Sequence, residues 1–180
     1  MDDVLFQRIR GNVNDMIDTH KSKYYRNGFL IAQSKLPPNA IIVDPFARGC
    51  KWATITNDIN EEYETTYNLD AIDFMRLLDD NSVDLILFDP PFSASQQERK
   101  YNKGMTSIYA HPGYFKNMFI EIQRVLKSGG FVLQLGYNST RYLKGSTLLE
   151  GWVVNFGGNR HDVIMTLWQK QNGDLRMWNN

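Results

Sequence analysis

Val83-Asp84-Leu85-Ile86-Leu87-Phe88-Asp89-Pro90-Pro91-Phe92 is the stretch on which the fold turns. Its first six residues are apolar apart from Asp84, the pattern of a strand buried on both faces of a parallel sheet. Proline has no N–H for a sheet ladder, so Pro90 and Pro91 end the strand and stiffen the chain after it. Asp89 and Phe92 are thereby displayed on a rigid corner at the carboxyl end of a strand, the edge at which open α/β sheets bind ligands.

A carboxylate and its neighbouring carbonyls are hydrogen-bond acceptors, and two prolines leave no nearby N–H to neutralise them. Such a corner suits an amino group with two hydrogens to donate, and the Phe92 ring suits a stacked planar base. Asp89-Pro90-Pro91-Phe92 resembles the D-P-P-[YF] signature of S-adenosylmethionine-dependent amino-methyltransferases. These act mostly on adenine in DNA, with relatives acting on cytosine, RNA and protein glutamine. The resemblance makes Asp89, Pro90, Pro91 and Phe92 the catalytic residues.

Upstream, Ala40 to Val43 reads as a strand ending at Asp44, Ala53 to Thr56 as one ending near Asp58, and Thr66 to Leu69 as one ending at Asp70. Four acids (Asp44, Asp58, Asp70 and Asp89) then close four strands along one sheet edge. Asp44-Pro45-Phe46-Ala47-Arg48-Gly49 resembles the family's D-P-F-x-G-x-G motif, with Arg48 where the first glycine normally stands. The resemblance assigns the cofactor S-adenosylmethionine to Asp44, Pro45, Phe46, Ala47, Gly49, Asp58, Asp70 and Ala71. Asp44 would face its ammonium group, Asp58 its ribose hydroxyls, and Asp70 with Ala71 its adenine. Read singly, Asp58 and Asp70 are each more often a helix cap or a turn residue, and the combination of four is what points to a ligand.

The spacing is short. Fourteen residues separate Asp44 from Asp58 and twelve separate Asp58 from Asp70, too few for a strand, a crossover helix and a return. Loops or single turns are therefore expected in place of two crossover helices.

Downstream, residues 93–112 are polar and without periodicity and read as a substrate loop. Its Arg99, Lys100, Tyr101 and Lys103 are candidates for phosphate and base contacts. Phe115, Met118, Phe119, Ile122, Val125 and Leu126 mark a helix stopped at Ser128-Gly129-Gly130, followed by a strand from Phe131 to Leu135. Trp152 to Phe156 and Val163 to Gln169, joined across 157–162, form a hairpin. His111 and His161 read as surface or hairpin residues rather than bases. At the other end, Leu5, Ile9, Val13, Met16 and Ile17 recur at helical spacing and predict a helix over about 3–19. Lys21-Ser22-Lys23-Tyr24-Tyr25-Arg26 is a second basic-aromatic patch for either ligand.

Together these elements predict one α/β domain over 1–180, with 1–39 as a helical lead-in. The fold expected is a Rossmann-like methyltransferase fold: a mostly parallel sheet with an antiparallel C-terminal hairpin and shortened crossovers between its first three strands. The resemblance spans about residues 40–170. Composition sets outer bounds. With 180 residues and 42% hydrophobic content the chain can bury a core. The single Cys50 excludes a disulfide framework and a cysteine-rich zinc site, and no metal is expected. No stretch has membrane-spanning length, so a cytoplasmic protein, of a bacterium or a phage-infected cell, is expected. Twenty basic and twenty acidic residues give zero net charge, so nucleic acid would have to be held by local patches, a protein partner or a second copy. The expected activity is methylation of the exocyclic amine of adenine in DNA, as in compact phage and mobile-element methylases. Asp rather than Ser at the head of the motif favours adenine over cytosine. RNA base methylation and a non-catalytic partner subunit of the same fold are the alternatives.

Overall fold

The computed structural model describes residues 6–12, 19–91, 111–157 and 160–172. Along the chain run β1 (Phe6–Arg10), α1 (Lys23–Gln33), β2 (Ile42–Asp44), β3 (Ile55–Thr56), α2 (Ala71–Arg76), β4 (Val83–Phe88), α3 (Tyr114–Val125), β5 (Leu126–Tyr137), β6 (Ser146–Asn155) and β7 (Val163–Lys170), with a 3-10 turn at Thr19–Lys21 before α1. Seven strands form one sheet in the order β1-β6-β7-β5-β4-β2-β3. All pairings are parallel except those of β7, which runs antiparallel to β5 and β6. The expected mostly parallel sheet with a C-terminal antiparallel hairpin is thus present. Among the described residues no helix is long and apolar enough to cross a membrane.

Each face of the sheet has its own apolar layer. On one, α2 and α3 pack Phe74, Met75, Met118 and Ile122 against Val43, Ile86, Phe88 and Val132. On the other, α1 packs Tyr24, Tyr25 and Phe29 against Leu85, Leu87, Leu133, Met165 and Leu167. Being covered on both sides makes all six residues of β4 buried, hence its unbroken apolar run. Met118 is completely buried at the α3–sheet contact. Met118→Ala is expected to cost about 2–5 kcal/mol, through lost transfer energy and the cavity left behind, read as a lowered urea midpoint with an unchanged slope.

The polar exception in β4 has a structural reason. The Oδ2 of Asp84 accepts the Ile41 N–H at 2.8 Å, and its carboxylate meets Lys127 Nζ at 2.9 and 3.0 Å.

The sequence expectations fail at three places. Residues 6–10, assigned to a helix, form a strand instead. The outer edge of β6 supplies a ladder of backbone groups, and pairing with it outweighs the helical spacing of the apolar residues. Phe6 lies opposite Gly151, over the gap a missing side chain leaves. Residues 13–18, also in the predicted helix, lie outside the described residues. Second, Tyr24 and Tyr25 belong to the buried core of α1, at 3% and 0% exposure, so they are not stacking platforms for a ligand. Ser22 caps this helix by accepting the Tyr25 N–H. Third, α3 passes into β5 without an intervening loop. Leu126 pairs with Val83, the next rung is Leu85 with Phe131, and the residues between bulge out around Gly129 at φ +80°.

The shortened crossovers are as expected. No helix lies between β2 and α2, and the third short strand is reduced to one bridge between Asn57 and Tyr67.

Candidate active site

The chain leaves β2 toward β3 on one side and returns to β4 on the other. The carboxyl ends of β2 and β4 therefore flank the switch point of the sheet, where ligands bind in folds of this kind. Asp44 closes β2 and Asp89 follows β4 there. Both act electrostatically on the same two side chains, His20 and Tyr25, so the structure brings together the two acids the sequence singled out at these strand ends. Asp89 and Pro91 are half-buried and Pro90 is buried. Phe92, Arg99, Lys100, Tyr101 and Lys103 lie outside the described residues.

Asp44 is fully buried. Its Oδ1 accepts the Phe46 N–H at 3.0 Å. Its Oδ2 accepts no hydrogen bond and lies 3.6 Å from His20 Nε2. Burial alone would lower the basicity of His20, but the Asp44 carboxylate, then Cys50 and the field of Asp89, outweigh it and raise the imidazole to about 10. His20 therefore carries a positive charge at neutral pH. Tyr25 packs at 5.6 Å from the His20 ring and 5.4 Å from Trp52, and its hydroxyl is pushed upward by burial and by the Asp44 charge.

The turn after Asp44 explains the odd motif. Arg48 has φ +50°, the left-handed conformation glycine adopts freely. Its N–H donates to Asp58 Oδ2 at 3.0 Å, which holds the turn in place. Pro45, Phe46 and Ala47 are buried, and Gly49 is exposed with open space where a Cβ would stand.

Asp58 and Asp70 have protein partners. Asp58 is 1% exposed, with Oδ1 accepting from Asn60 N and Oδ2 from Arg48 N. Burial moves its carboxyl upward, and these two amides hold it back. Asp70 caps α2, accepting from Ile72 N at 2.8 Å with one oxygen and from the Tyr114 hydroxyl at 3.1 Å with the other. Ala71, the first residue of α2, is buried.

Asn57 is a residue the sequence reading passed over. Fully buried, its amide donates to Pro45 O and Leu69 O and accepts from Leu69 N, all within 3.1 Å. Its backbone bonds Asp44 O and Ala47 N. One side chain thus ties three strand-end loops together where crossover helices are absent. The available signal was its place beside Asp58 at a strand end.

Two cavities open near the corner. One, about 540 Å³, is lined by His20, Arg48, Gly49, Cys50, Trp52 and Tyr63 among others. The other, about 350 Å³, is lined by Pro90, Phe115, Gly136, Tyr137 and Arg141 among others. Both volumes suit small planar ligands. In the second, the Tyr137 ring stacks on His161 at 5.4 Å, and the Arg141 guanidinium lies 4.6 Å over Phe115. Gly136 is required there, since a Cβ would sit 2.1 Å from the Ser139 carbonyl oxygen. Gly136→Ala is expected to displace the 138–140 turn at a cost of about 1–3 kcal/mol, seen as a lower melting temperature.

No family model matches this chain, and no curated protein matches it. Solved structures do share its fold. A 1,6-didemethyltoxoflavin-N1-methyltransferase of Burkholderia thailandensis, with 1,6-didemethyltoxoflavin and S-adenosylhomocysteine bound, superposes with a TM-score of 0.56 at 12% identity, over 88% of this chain and 84% of its own. A tRNA m1G37 methyltransferase of M. jannaschii gives 0.51 at 12% identity, over 83% of this chain and 48% of its own. The chain has the Rossmann-like methyltransferase fold.

Proposed function

We propose that this chain is an S-adenosylmethionine-dependent methyltransferase acting on the exocyclic amino group of adenine in DNA. The observation that carries the reading is Asp89 on its proline-stiffened corner, at the switch point of the sheet and between two cavities. The cavity beside His20 takes the cofactor, and the cavity beside Pro90 takes the base.

The residues present fit the cofactor's amino-acid end. His20, Lys21, Arg48 and Lys51 on the cavity wall suit a carboxylate, and the Asp44 carboxylate, 3.6 Å from His20 Nε2, supplies the negative charge behind that wall. The ribose end fits less well, because both oxygens of Asp58 already accept backbone N–H groups. When bound, S-adenosylmethionine supplies an electrophilic methyl group on its sulfonium. Asp89 accepts a hydrogen bond from the amine of the base, draws electron density toward nitrogen and aims its lone pair. As the N–C bond formed, the methyl–sulfur bond would break with its electron pair left on the thioether sulfur, and the amine would give up a proton that Asp89 is placed to receive. Orientation and electrostatics provide most of the rate. The base must leave the duplex to reach the corner, and Tyr137 and the Phe115–Arg141 pair give it planar walls.

RNA is the second reading, favoured by the fold shared with a tRNA methyltransferase. Calorimetric titration with S-adenosylmethionine, followed by labelled methyl transfer to DNA and RNA with nucleoside analysis, tests both. N6-methyladenine in DNA is the expected product. A methylated base in RNA alone selects the second reading. Absence of cofactor binding at millimolar concentration leaves a non-catalytic subunit and ends the proposal.

A further inference from the structure

We infer that the cleft between α3 and residues 138–145 holds a single-stranded stretch of the nucleic-acid substrate, next to the target base. The inference rests on the proposed base cavity beside Pro90 and extends it along the molecule.

The cleft exists because a helix is missing. β5 and β6 both run antiparallel to β7, so they are parallel to each other. Such a connection usually carries a helix that covers the sheet face. Here residues 138–145 make the crossing alone. Eight extended residues reach about 26 Å, enough to traverse the sheet. What remains open beside them is a cavity of about 950 Å³.

The crossing segment is fixed rather than loose. Gln134, with its amide oriented by its neighbours, donates to Arg141 O and accepts from Arg141 N, both at 3.0 Å. Leu143 is buried in the core, and Tyr142 meets Trp168 edge-on at 5.6 Å. A strap held through Arg141, Tyr142 and Leu143 presents its outward side chains at set positions.

Those side chains are of the types that bind single strands. Tyr142 is 69% exposed. Lys144 and Arg141 flank it on the strap, and Lys116 faces them from α3. Arg124 is already matched by Asp80 and Glu121 at 2.6 and 2.7 Å. Lys170 donates to Gln123 O and Leu126 O and is taken up by the fold. Among the described residues of the lining, Lys116, Arg141 and Lys144 are exposed cations, and the acid, Asp80, is paired with Arg124. This local patch accommodates phosphates in a chain whose net charge is zero. Exposed aromatic rings interleaved with cations form a stacking platform along a phosphate track.

Continuity with the active corner selects nucleic acid over a protein helix. Phe115 and Arg141 line both this cleft and the cavity beside Pro90. A strand whose base lies against Pro90 would pass over Arg141 and enter the cleft, with the neighbouring base on Tyr142.

The test uses the full chain and a fluorescent single-stranded oligonucleotide containing adenine, as DNA and as RNA, followed by anisotropy across a salt series. Tyr142→Ala is expected to weaken binding about 5- to 150-fold. Lys116→Glu with Lys144→Glu is expected to weaken it further and to reduce the salt slope by about 1.4, the value for two lost contacts to single strands. Thermal unfolding of each variant checks that the fold is kept. Unchanged affinity and salt slope in folded variants overturn the cleft while methyl transfer, measured in parallel, continues. A cleft occupied by a second copy would appear as a dimer that Tyr142→Ala dissociates, with oligonucleotide binding intact, and that also overturns the inference. Failure of the parent function reads differently: no methyl transfer to either nucleic acid by the unaltered chain.

Discussion

Asp89→Ala is expected to reduce methyl transfer about 10²- to 10⁴-fold, the range for a group that positions and accepts from the reacting amine. Cofactor affinity should change only a few-fold. Asp89 stands outside the β2 turn and is not among the residues lining the cavity assigned to the cofactor. On that side its field reaches His20, after the larger effects of Asp44 and Cys50, and Tyr25, after burial and Asp44. Asp89→Asn keeps an acceptor oxygen but loses the charge, so intermediate activity is expected. Single-turnover transfer and calorimetry on the same preparations separate the two effects. If cofactor binding falls in step with transfer, Asp89 belongs to the cofactor site and the base must sit elsewhere.

Much of this corner was legible because it is written locally. A buried parallel strand needs an apolar run, and two prolines must end it, so β4 and its acid can be read without tertiary information. The short spacings between Asp44, Asp58 and Asp70 rule out crossover helices by chain length alone, and the structure has none. What escaped depends on partners distant in sequence. Phe6–Arg10 is a strand because β6 has an open edge, a fact no local window contains. Tyr24 and Tyr25 look like a ligand patch beside three cations, yet in α1 Lys23 and Arg26 point outward and the rings inward, while Lys21 sits in the turn before the helix. Arg48 looked like a broken glycine motif. The structure shows a left-handed turn at Arg48, with a hydrogen bond to Asp58 holding a residue that lacks glycine's freedom.

That last point bears on how the shortened half works. Without helices to set the spacing of β2, β3 and the Tyr67 bridge, the loops are fixed by polar side chains: Asn57 between Pro45 and Leu69, Asp58 between Arg48 and Asn60, and Asn68 reaching Asp58 O at 3.0 Å. Acids at these strand ends therefore act as braces. A methyl donor with a ribose would have to share Asp58 with two backbone amides, and Asp44 is left as the acid with an oxygen accepting no hydrogen bond.

Asp44 should accordingly be the most costly of these acids to remove. Asp44→Ala takes away the acceptor of the Phe46 N–H and leaves His20 as a buried cation without its nearest counter-charge. Breaking a buried pair in this way costs about 3–5 kcal/mol. The same pair sets a pH dependence whose sign follows from linkage. The folded imidazole titrates at about 10 against 6.5 for an unperturbed histidine. Its contribution is complete below pH 6.5, where both states are protonated, and declines as the pH rises toward 10, where the folded state must release the proton. Tyr25 and Tyr114 are both raised by burial, so they add to the fall only as the unfolded chain's tyrosines ionise close to pH 10, and the fall from pH 6.5 up to that point belongs to His20. Urea unfolding of the unaltered chain should show stability falling between pH 6.5 and 10, and Asp44→Asn, which keeps an oxygen for Phe46 N, should flatten that fall. Stability that is level or rises across the window would show that His20 is neutral in the folded chain. The basic wall of the cofactor cavity would then lose the cation nearest Asp44.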